Sequence, residues 1–227
     1  MTKSPYIVLI NEQYSNNKKS NSKKSNNDYH LSPTSGYEPK YDPKKWNDNF
    51  NIKNSHNCYA YVLNRSAHKM KNKPQPGYFS NFPSLKQTDY NCQSFYIRLK
   101  KDIPSLYLVP FNQKCKKGFY KGFIAIDTKD EDQDYHFYRQ DDNGYWSHKP
   151  GRQNVINYDA DKKLISNPVK ANRNYINFNY STPCFFFCIN NKILIADRMD
   201  HARQDRIPMR HQPVVGDKVM TKISEII

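Results

Sequence analysis

Three side chains of the sequence have the types that nucleophilic catalysis by a thiol requires. Cys58 follows the polar residues 54–57, and His136 and His148 come later, twelve residues apart. A cysteine attacks as its thiolate, and a nearby imidazole takes the thiol proton or pairs with the thiolate. A further polar group then fixes the tautomer and the tilt of that imidazole. The set makes Cys58 a candidate nucleophile, and it makes His136 and His148 candidates for the base and for the group that orients it.

Two neighbours of the cysteine are secondary candidates for the same site. Asn57 is suited to cap a helix that starts at Cys58, and it is a candidate for holding an oxyanion beside the backbone N–H of Cys58. His56 is a rival base, although a histidine in a strand is held more rigidly. The alternative for Cys58 is a packing role, because free cysteine is among the most buried residue types. His136 has a matching alternative as a hydrogen-bonded sheet histidine between aromatic residues.

No motif in the sequence indicates a cofactor. A phosphate-binding glycine loop, a dinucleotide fingerprint and a GxSxG motif are all missing. The acidic stretch 127–134 lacks the glycine of a calcium loop. The mixed charges of 197–206 favour a salt-bridged helix over a metal-binding face. We therefore expect a protein that works without a cofactor or a metal ion.

The elements that must position these side chains follow from the periodicity of the sequence. Small and apolar residues recur at helical spacing from Cys58 onward, which predicts a helix over 58–70. Runs rich in aromatic and β-branched residues then predict several strands. The predicted strands are 94–99, 106–111, 122–127, 134–140 and 145–151, with further strands or a surface arm over 175–189 and 192–197. A helix followed by antiparallel strands is typical of an α+β domain.

Both histidines lie in one predicted hairpin, and the turn decides whether they meet. A three-residue turn over 141–143 pairs His136 directly with His148 on one face. A two-residue turn over 143–144, an Asn-Gly pair that is a strong hairpin signal, places the rings on opposite faces. A shift of one residue in register moves every side chain to the other face. The sequence leaves both registers open.

A resemblance to a known family rests on three stretches of the sequence. They are NCYAYVLN (57–64), GFIAID (122–127) and DYHFYRQDDNGYWSHKPGRQNVI (134–156). Together they resemble the NlpC/P60 branch of the papain-like cysteine peptidases. The resemblance covers roughly residues 54–160. It implies a papain-like α+β domain in which an N-terminal helix packs on an antiparallel sheet.

The resemblance assigns a role to each of the three residues. In the family, a cysteine opens a helix, a histidine lies in a strand of the following sheet, and a third polar residue, often histidine, lies in the next strand. The resemblance implies that Cys58 is the nucleophile, His136 the base and His148 the orienting residue. It also implies a hydrolase or acyltransferase of the peptidase or amidase type. Its substrate would be a peptide or another amide, and its intermediate a thioester.

The charge of the chain supports a different, non-catalytic hypothesis. The 227 residues carry a formal net charge of +15. The densest basic cluster consists of Lys18, Lys19, Lys23 and Lys24. Such a balance favours anionic partners, including nucleic acid and other polyanions. The alternative to an enzyme is therefore a basic structural or polyanion-binding protein, such as a component of a virus particle.

Composition divides the chain into two parts. Residues 1–54 are polar and rich in Asn, Ser and Lys, which predicts a flexible basic arm that is partly disordered or laid over a domain. Residues 55–227 then form the α+β domain, with insertions and a C-terminal extension. The sequence does not indicate an oligomeric state.

The cysteine count and the apolar runs lead to an expected location. Five cysteines leave at least one thiol free, and no CxxC pair occurs, so reduced thiols are the simplest account. The N-terminal apolar run, residues 7–10, is too short for a signal peptide, and no stretch is long enough to span a bilayer. We expect an intracellular protein or one that is packaged in a virus particle.

Overall fold

The structure, a computed structural model, describes residues 31–66, 73–129 and 133–192. Its helices are α1 (Pro43–Asn47), α2 (Phe50–Ser55), α3 (Cys58–Val62) and α4 (Cys92–Asp102), with a 3-10 turn over Gln87–Asp89. Its strands are β1 (Tyr107–Leu108), β2 (Phe119–Asp127), β3 (Asp134–Gln140), β4 (Trp146–His148) and β5 (Thr182–Asn190). The strands form one five-stranded sheet in the order β1-β5-β2-β3-β4, and every neighbouring pair is antiparallel. The predicted α+β class is confirmed.

Helix α3, which begins at the candidate nucleophile, is shorter than predicted. The predicted helix over 58–70 ends at Val62. It ends there because Asn64 adopts a left-handed conformation with φ of 53°. The N–H groups of Asn64 and of the next residue donate to carbonyls of the last turn at 2.9 and 3.0 Å. This pair of bonds is the Schellman motif, which terminates helices at such a residue. Residues 67–70 lie outside the described residues.

Helix α4 replaces a predicted strand. The prediction of a strand over 94–99 is wrong, because this segment lies within an eleven-residue helix. Phe95, Leu99 and Asp102 are buried at helical spacing, and Phe95 and Leu99 join the apolar cluster that includes residues of the sheet. The side chain of Asn91 caps the helix by accepting the backbone N–H three residues later at 2.9 Å.

The predictions for β2 and β3, two interior strands of the sheet, are confirmed. Residues 134–140 are strand β3, and residues 122–127 lie within β2. The strands predicted over 106–111 and 145–151 are longer than the observed ones. Only two residues of 106–111 form β1, and only three residues of 145–151 form β4. Within 175–189 the strand begins at residue 182 and continues one residue beyond the predicted run.

Four of the five cysteines form two disulfides. Cys92 bonds to Cys184 and Cys115 bonds to Cys188, so both bonds fasten β5 to preceding segments. The expectation of reduced thiols is wrong for these four residues. The fold brings the Cα atoms of each pair to 5.2 and 5.8 Å, which is the range that a disulfide requires. Cys58 is the free cysteine, so the prediction of at least one free thiol is confirmed.

Apolar clusters lie on both faces of the sheet. Tyr135 and Phe137 of β3 join the cluster that packs against α3 and α4. Tyr138 joins the cluster on the opposite face, with Trp146 of β4. Since successive side chains of a strand point to opposite faces, His136 shares the face of Tyr138.

Residues 31–54, assigned by sequence to the arm, lie over this fold. Trp46 is buried and packs edge-on against Tyr61, with the ring centroids 4.9 Å apart. Ser32 Oγ donates to the Phe111 carbonyl at 2.6 Å. Helix α2 runs across the predicted division between the arm and the domain.

Other sequence predictions fall outside the described residues. They include the basic cluster of Lys18, Lys19, Lys23 and Lys24, and the segment 193–197. Within the described part of the chain, none of the helices has the length and apolar character needed to cross a membrane.

Candidate active site

The β3–β4 hairpin brings the two histidines onto one face of the sheet. His148 lies opposite Tyr138, so residues 141–145 form the loop. Neither of the two predicted turns occurs, because the chain turns instead at Gly144, whose φ of 85° suits glycine. His136 is two residues from Tyr138 on β3. It is therefore the diagonal neighbour of His148 rather than its direct partner, and the two side chains share a face.

A chain of hydrogen bonds assigns a tautomer to each ring. His136 Nε2 lies 2.7 Å from His148 Nδ1, and His148 Nε2 lies 3.0 Å from the Tyr158 carbonyl oxygen. A carbonyl only accepts, so His148 Nε2 carries the hydrogen, and in the neutral ring Nδ1 accepts. Nε2 of His136 must then donate. The lone pair of His136 is consequently on Nδ1, which is the nitrogen that acts as a base.

Burial keeps both rings neutral at neutral pH. It lowers the pKa of His148 to about 4, although the Tyr158 carbonyl and Asp159 act weakly in the other direction. Burial, with a smaller contribution from the neighbouring His148, also lowers the pKa of His136 well below its ordinary value. Two neutral rings are what the hydrogen-bond chain requires.

Cys58 lies at the start of α3, against the strand that carries His136. Its Sγ is 3.9 Å from the Tyr135 carbonyl oxygen and also faces the backbone N–H of Phe137. These two peptide groups flank His136 on either side, and Nδ1 is the ring nitrogen closer to that backbone. Cys58 packs in the cluster of Tyr135 and Phe137, whereas both imidazoles lie on the other face. Among the described residues, no hydrogen bond joins the thiol to either ring.

The thiol is protonated in this closed arrangement. Burial raises the pKa of Cys58 to about 12, and the negative charge of Asp134 raises it further. The backbone N–H groups of Phe137 and Tyr59 and the ammonium of Lys149 act in the opposite direction. A thiolate therefore needs either a more open site or a base that takes the proton.

The two secondary candidates have local partners. Asn57 Oδ1 accepts the Ala60 N–H at 3.0 Å, as predicted for a helix cap, and Asn57 Nδ2 donates to the Pro74 carbonyl at 2.8 Å. Both polar groups of this side chain are thus engaged. His56 is buried, with Nδ1 2.8 Å from Ser55 Oγ and 3.0 Å from the Ile52 carbonyl oxygen.

Aromatic side chains cover the two imidazoles. They come from residues 174–180, a tight hairpin before β5 that we call the cover hairpin. Tyr180 stacks on His136 with the ring centroids 5.0 Å apart, and the Tyr175 ring lies 6.2 Å from that of His148. His148 has no exposed surface, and His136 is only 3% exposed. The rings are therefore closed to a substrate in this conformation.

Carboxylates fasten the cover hairpin to the sheet. Tyr180 Oη donates to Asp134 at 2.7 Å, and the Asn179 N–H donates to Asp127 at 2.6 Å. Burial raises the pKa of Asp134 to about 6. Sequence analysis missed Asp134 and Tyr180 as neighbours of the site. The aromatic run of 175–180 is the one signal that points toward a ring-lined cover.

Lys149, which directly follows His148, is not the exposed lysine that the sequence predicts. It is fully buried, and its Nζ donates to three backbone carbonyls, those of Lys53, Gly151 and Gln153, at 2.8, 2.8 and 3.0 Å. Burial lowers the pKa of Lys149 to about 7. A lysine beside a candidate histidine in sequence is ordinarily exposed, so the primary structure carries no signal for this placement.

Comparison with known proteins yields one curated relative. No protein-family profile matches the chain, and no solved structure matches it. Insoluble matrix shell protein 1 from Ruditapes philippinarum is 30% identical over 134 residues. That alignment covers 59% of this chain and 81% of the relative. Identity at this level over most of the relative's length means that the chain belongs to the same family as insoluble matrix shell protein 1.

Proposed function

We propose that this chain is a cysteine hydrolase or acyltransferase of the peptidase or amidase type. Cys58 is the nucleophile, His136 the base and His148 the orienting residue. The observation that carries the proposal is the hydrogen-bonded pair of imidazoles ending on the Tyr158 carbonyl. These hydrogen bonds leave Nδ1 as the basic nitrogen of His136. Nδ1 is on the side of the ring nearest the β3 backbone that Cys58 contacts. A papain-like fold of the NlpC/P60 type is part of the same proposal.

In the closed conformation the Cys58 thiol and the imidazoles lie on opposite faces of β3, so the proposal requires Cys58 to move to the imidazole face first. The first chemical step is then transfer of the thiol proton from Cys58 to His136 Nδ1. The thiolate sulfur then bonds to the carbonyl carbon of the amide, and the resulting oxyanion accepts the backbone N–H of Cys58. The positive charge that forms on His136 is stabilised by His148, whose Nδ1 accepts the Nε2–H of His136. Because the Asn57 side chain is engaged by Ala60 and Pro74, the backbone has to supply the oxyanion contact.

The second half of the reaction releases the acyl group. The imidazolium of His136 gives its proton to the amine nitrogen as the C–N bond breaks, which leaves an acyl thioester on Cys58. Water attacks this thioester in a hydrolase, and a second amine attacks it in a transferase. In both cases His136 takes a proton from the incoming nucleophile and returns it to the sulfur.

Substrate access requires the cover hairpin to move. Tyr180 and Tyr175 lie against the imidazoles, and Cys58 is only 6% exposed. Opening this cover hydrates the two imidazoles. Water must also reach the Cys58 thiol before its pKa falls, because burial is the main cause of that high pKa. The closed conformation is then the resting state of the enzyme.

The test uses an activated acyl donor, because it needs no knowledge of the natural substrate. Native protein is mixed with p-nitrophenyl acetate at neutral pH, and the burst of p-nitrophenol and the mass of the intact chain are followed. We expect one acetyl group on Cys58, the free cysteine of the native protein. His136→Gln should slow acetylation by about 100-fold, which is the usual worth of a general base. His56→Gln is the matched control and should acetylate like the wild type.

Two results contradict the proposal. One is a native wild-type chain that remains unacetylated while the same chain, unfolded in urea with its disulfides intact, reacts. The other is equal acetylation of wild type and His136→Gln, when circular dichroism shows that the variant is folded. If His56→Gln is slowed instead, the base has been assigned to the wrong histidine.

A non-catalytic structural protein is the second candidate, and the relative's name favours it. Insoluble matrix shell protein 1 is described as a matrix protein, and the present chain has a net charge of +15. On this hypothesis Cys58 is an inert core residue. Binding to polyanions should then weaken steeply with salt concentration, in proportion to the number of anionic groups contacted. An acetylated Cys58 together with salt-insensitive binding rejects this candidate.

The location is a separate proposal. Two disulfides are typical of proteins that fold in an oxidising compartment and are rare in a reducing cytosol. We therefore propose that the chain folds in an oxidising compartment. The intracellular or virus-particle location expected from the sequence stays an untested prediction.

A further inference from the structure

We propose that Lys149 and Arg139 are positioning residues that hold the segment carrying Cys58 against the β3–β4 histidine hairpin. The inference rests on the proposed function, because the position of Cys58 matters to chemistry only if it reacts with His136. Lys149 acts on the chain before Cys58, and Arg139 acts on the chain after it.

Lys149 joins the end of β4 to helix α2. Its three bonds satisfy all three N–H groups of an ammonium, and one of them reaches the carbonyl of Lys53. Lys53 lies in the last turn of α2, where carbonyls lack helical partners. Cys58 follows the end of α2 by three residues. One side chain thus links the residue after His148 to the segment that leads into the nucleophile.

Arg139 holds helix α3 from the other side. It lies on β3, three residues after His136, and it is fully buried. Its guanidinium donates to Tyr61 Oη at 2.8 Å and to Asn64 Oδ1 at 3.1 Å. The guanidinium carbon also lies 4.1 Å from the centroid of the Tyr61 ring. Asp141 balances the charge with a contact of 2.8 Å.

Strand β4 completes this second link. Tyr61 Oη, which accepts from Arg139, is also 2.6 Å from Ser147 Oγ. Ser147 is the residue before His148. The end of α3 is therefore bound to both strands that carry the imidazoles. Because Lys149 and Ser147 flank His148, the two links act on the same short strand.

In its protonated form, Lys149 also acts on the thiol itself. The negative charge of Asp134 raises the pKa of Cys58, and the positive charge of Lys149 lowers it. Hydrogen bonds alone are enough to hold a segment in place, whereas burying a cation carries a large desolvation penalty. Removing the ammonium therefore changes two separable properties: the order of the segment before Cys58 and the proton affinity of its sulfur.

The experiment compares Lys149→Met, which removes the charge, with Lys149→Arg, which keeps it. Lys163→Met is the matched control, because that side chain is 76% exposed. Acetylation of Cys58 by p-nitrophenyl acetate is measured as a function of pH, and amide hydrogen exchange is measured at residues 56–60. We expect Lys149→Met to slow acetylation about tenfold at neutral pH, to move the rate profile to higher pH and to speed exchange at 56–60. Lys149→Arg should restore the pH profile, and Lys163→Met should match the wild type.

Each outcome decides the inference. A folded Lys149→Met with the wild-type pH profile, or with unchanged exchange at 56–60, overturns it. If Lys149→Met fails to fold, Arg139→Lys takes its place, since it keeps the charge but loses the forked contact to Tyr61 and Asn64. That variant should slow acetylation and speed exchange in α3, and wild-type values for both overturn the inference.

Failure of the proposed function is distinguishable from failure of the positioning role proposed for Lys149. A wild-type Cys58 that never becomes acetylated refutes the enzyme, whatever happens at Lys149. In that case exchange at 56–60 still decides whether Lys149 holds this segment. If the wild type is acetylated and Lys149→Met has no effect, the positioning role is refuted and the proposed enzymatic function stands.

Discussion

Acidification should destabilise this protein through His148, and the size of the effect follows from burial. The pKa of His148 falls from its ordinary 6.5 to about 4 in the folded state. Below pH 6.5 the unfolded chain takes up a proton that the folded chain does not accept until about pH 4. The contribution of His148 is thus complete above pH 6.5 and is lost as the pH falls toward 4. One pKa unit corresponds to about 1.4 kcal/mol, so the loss is about 2 kcal/mol at pH 5 and about 3 kcal/mol below pH 4.

Asp134 opposes this change, so a single pH curve of the wild type is not sufficient. Burial raises the pKa of Asp134 from 3.8 to about 6. Its contribution is complete below pH 3.8 and is lost as the pH rises through 6, which is the opposite sense to His148. The comparison therefore needs a variant in which His148 alone no longer titrates. His148→Gln suits this purpose, because an amide can donate to the Tyr158 carbonyl and accept from His136.

Urea unfolding of both proteins at about pH 7.5 and about pH 5 measures the effect. The free energy of unfolding of the wild type should fall by about 2 kcal/mol relative to His148→Gln between these two conditions. The contribution of Asp134 and the contribution from burial of His136 are common to both proteins and cancel in the difference. Parallel pH curves for the two proteins would refute the assignment of a buried, neutral His148.

Two further predictions concern the packing that holds the site in place. A Cβ on Gly122 would lie 2.7 Å from ring atoms of Phe187 and 2.9 Å from a methyl group of Val62, so Gly122→Ala should cost about 2 kcal/mol of unfolding free energy in urea titrations. An unchanged midpoint would mean that β2 and β5 separate without strain. The disulfide between Cys115 and Cys188 closes a separation of 73 residues, so replacing both by serine should cost about 4 kcal/mol. Calorimetry checks this, and an unshifted melting temperature would contradict it.

Elements whose signal lies within a single segment were predictable. Strand β3 was predicted with its observed limits, and the core of β2 was predicted over 122–127. Composition and alternation are local properties, so a short window contains all the information that these strands need. The histidine pair differs, because the sequence placed both residues in one hairpin but left open whether their rings share a face, and neither predicted turn occurs.

Helix α4 shows where a local window fails. Its aromatic and β-branched residues favour a strand in a six-residue window. The buried positions Phe95, Leu99 and Asp102 reveal a helix only when they are read together over the whole element. The covalent bond of Cys92 to Cys184 adds a constraint from 92 residues away, which no local pattern contains.

The residue types were enough to nominate Cys58, His136 and His148, because thiol and imidazole chemistry belongs to the side chains themselves. Their arrangement came from contacts between distant segments. The loop 141–145 set the hairpin register, the position of β5 selected the cysteine partners, and Lys149 was buried by carbonyls from separate parts of the chain. Such choices depend on free energies summed over many non-local contacts. Packing alone therefore put the thiol beside the β3 backbone, with both imidazoles enclosed on the opposite face.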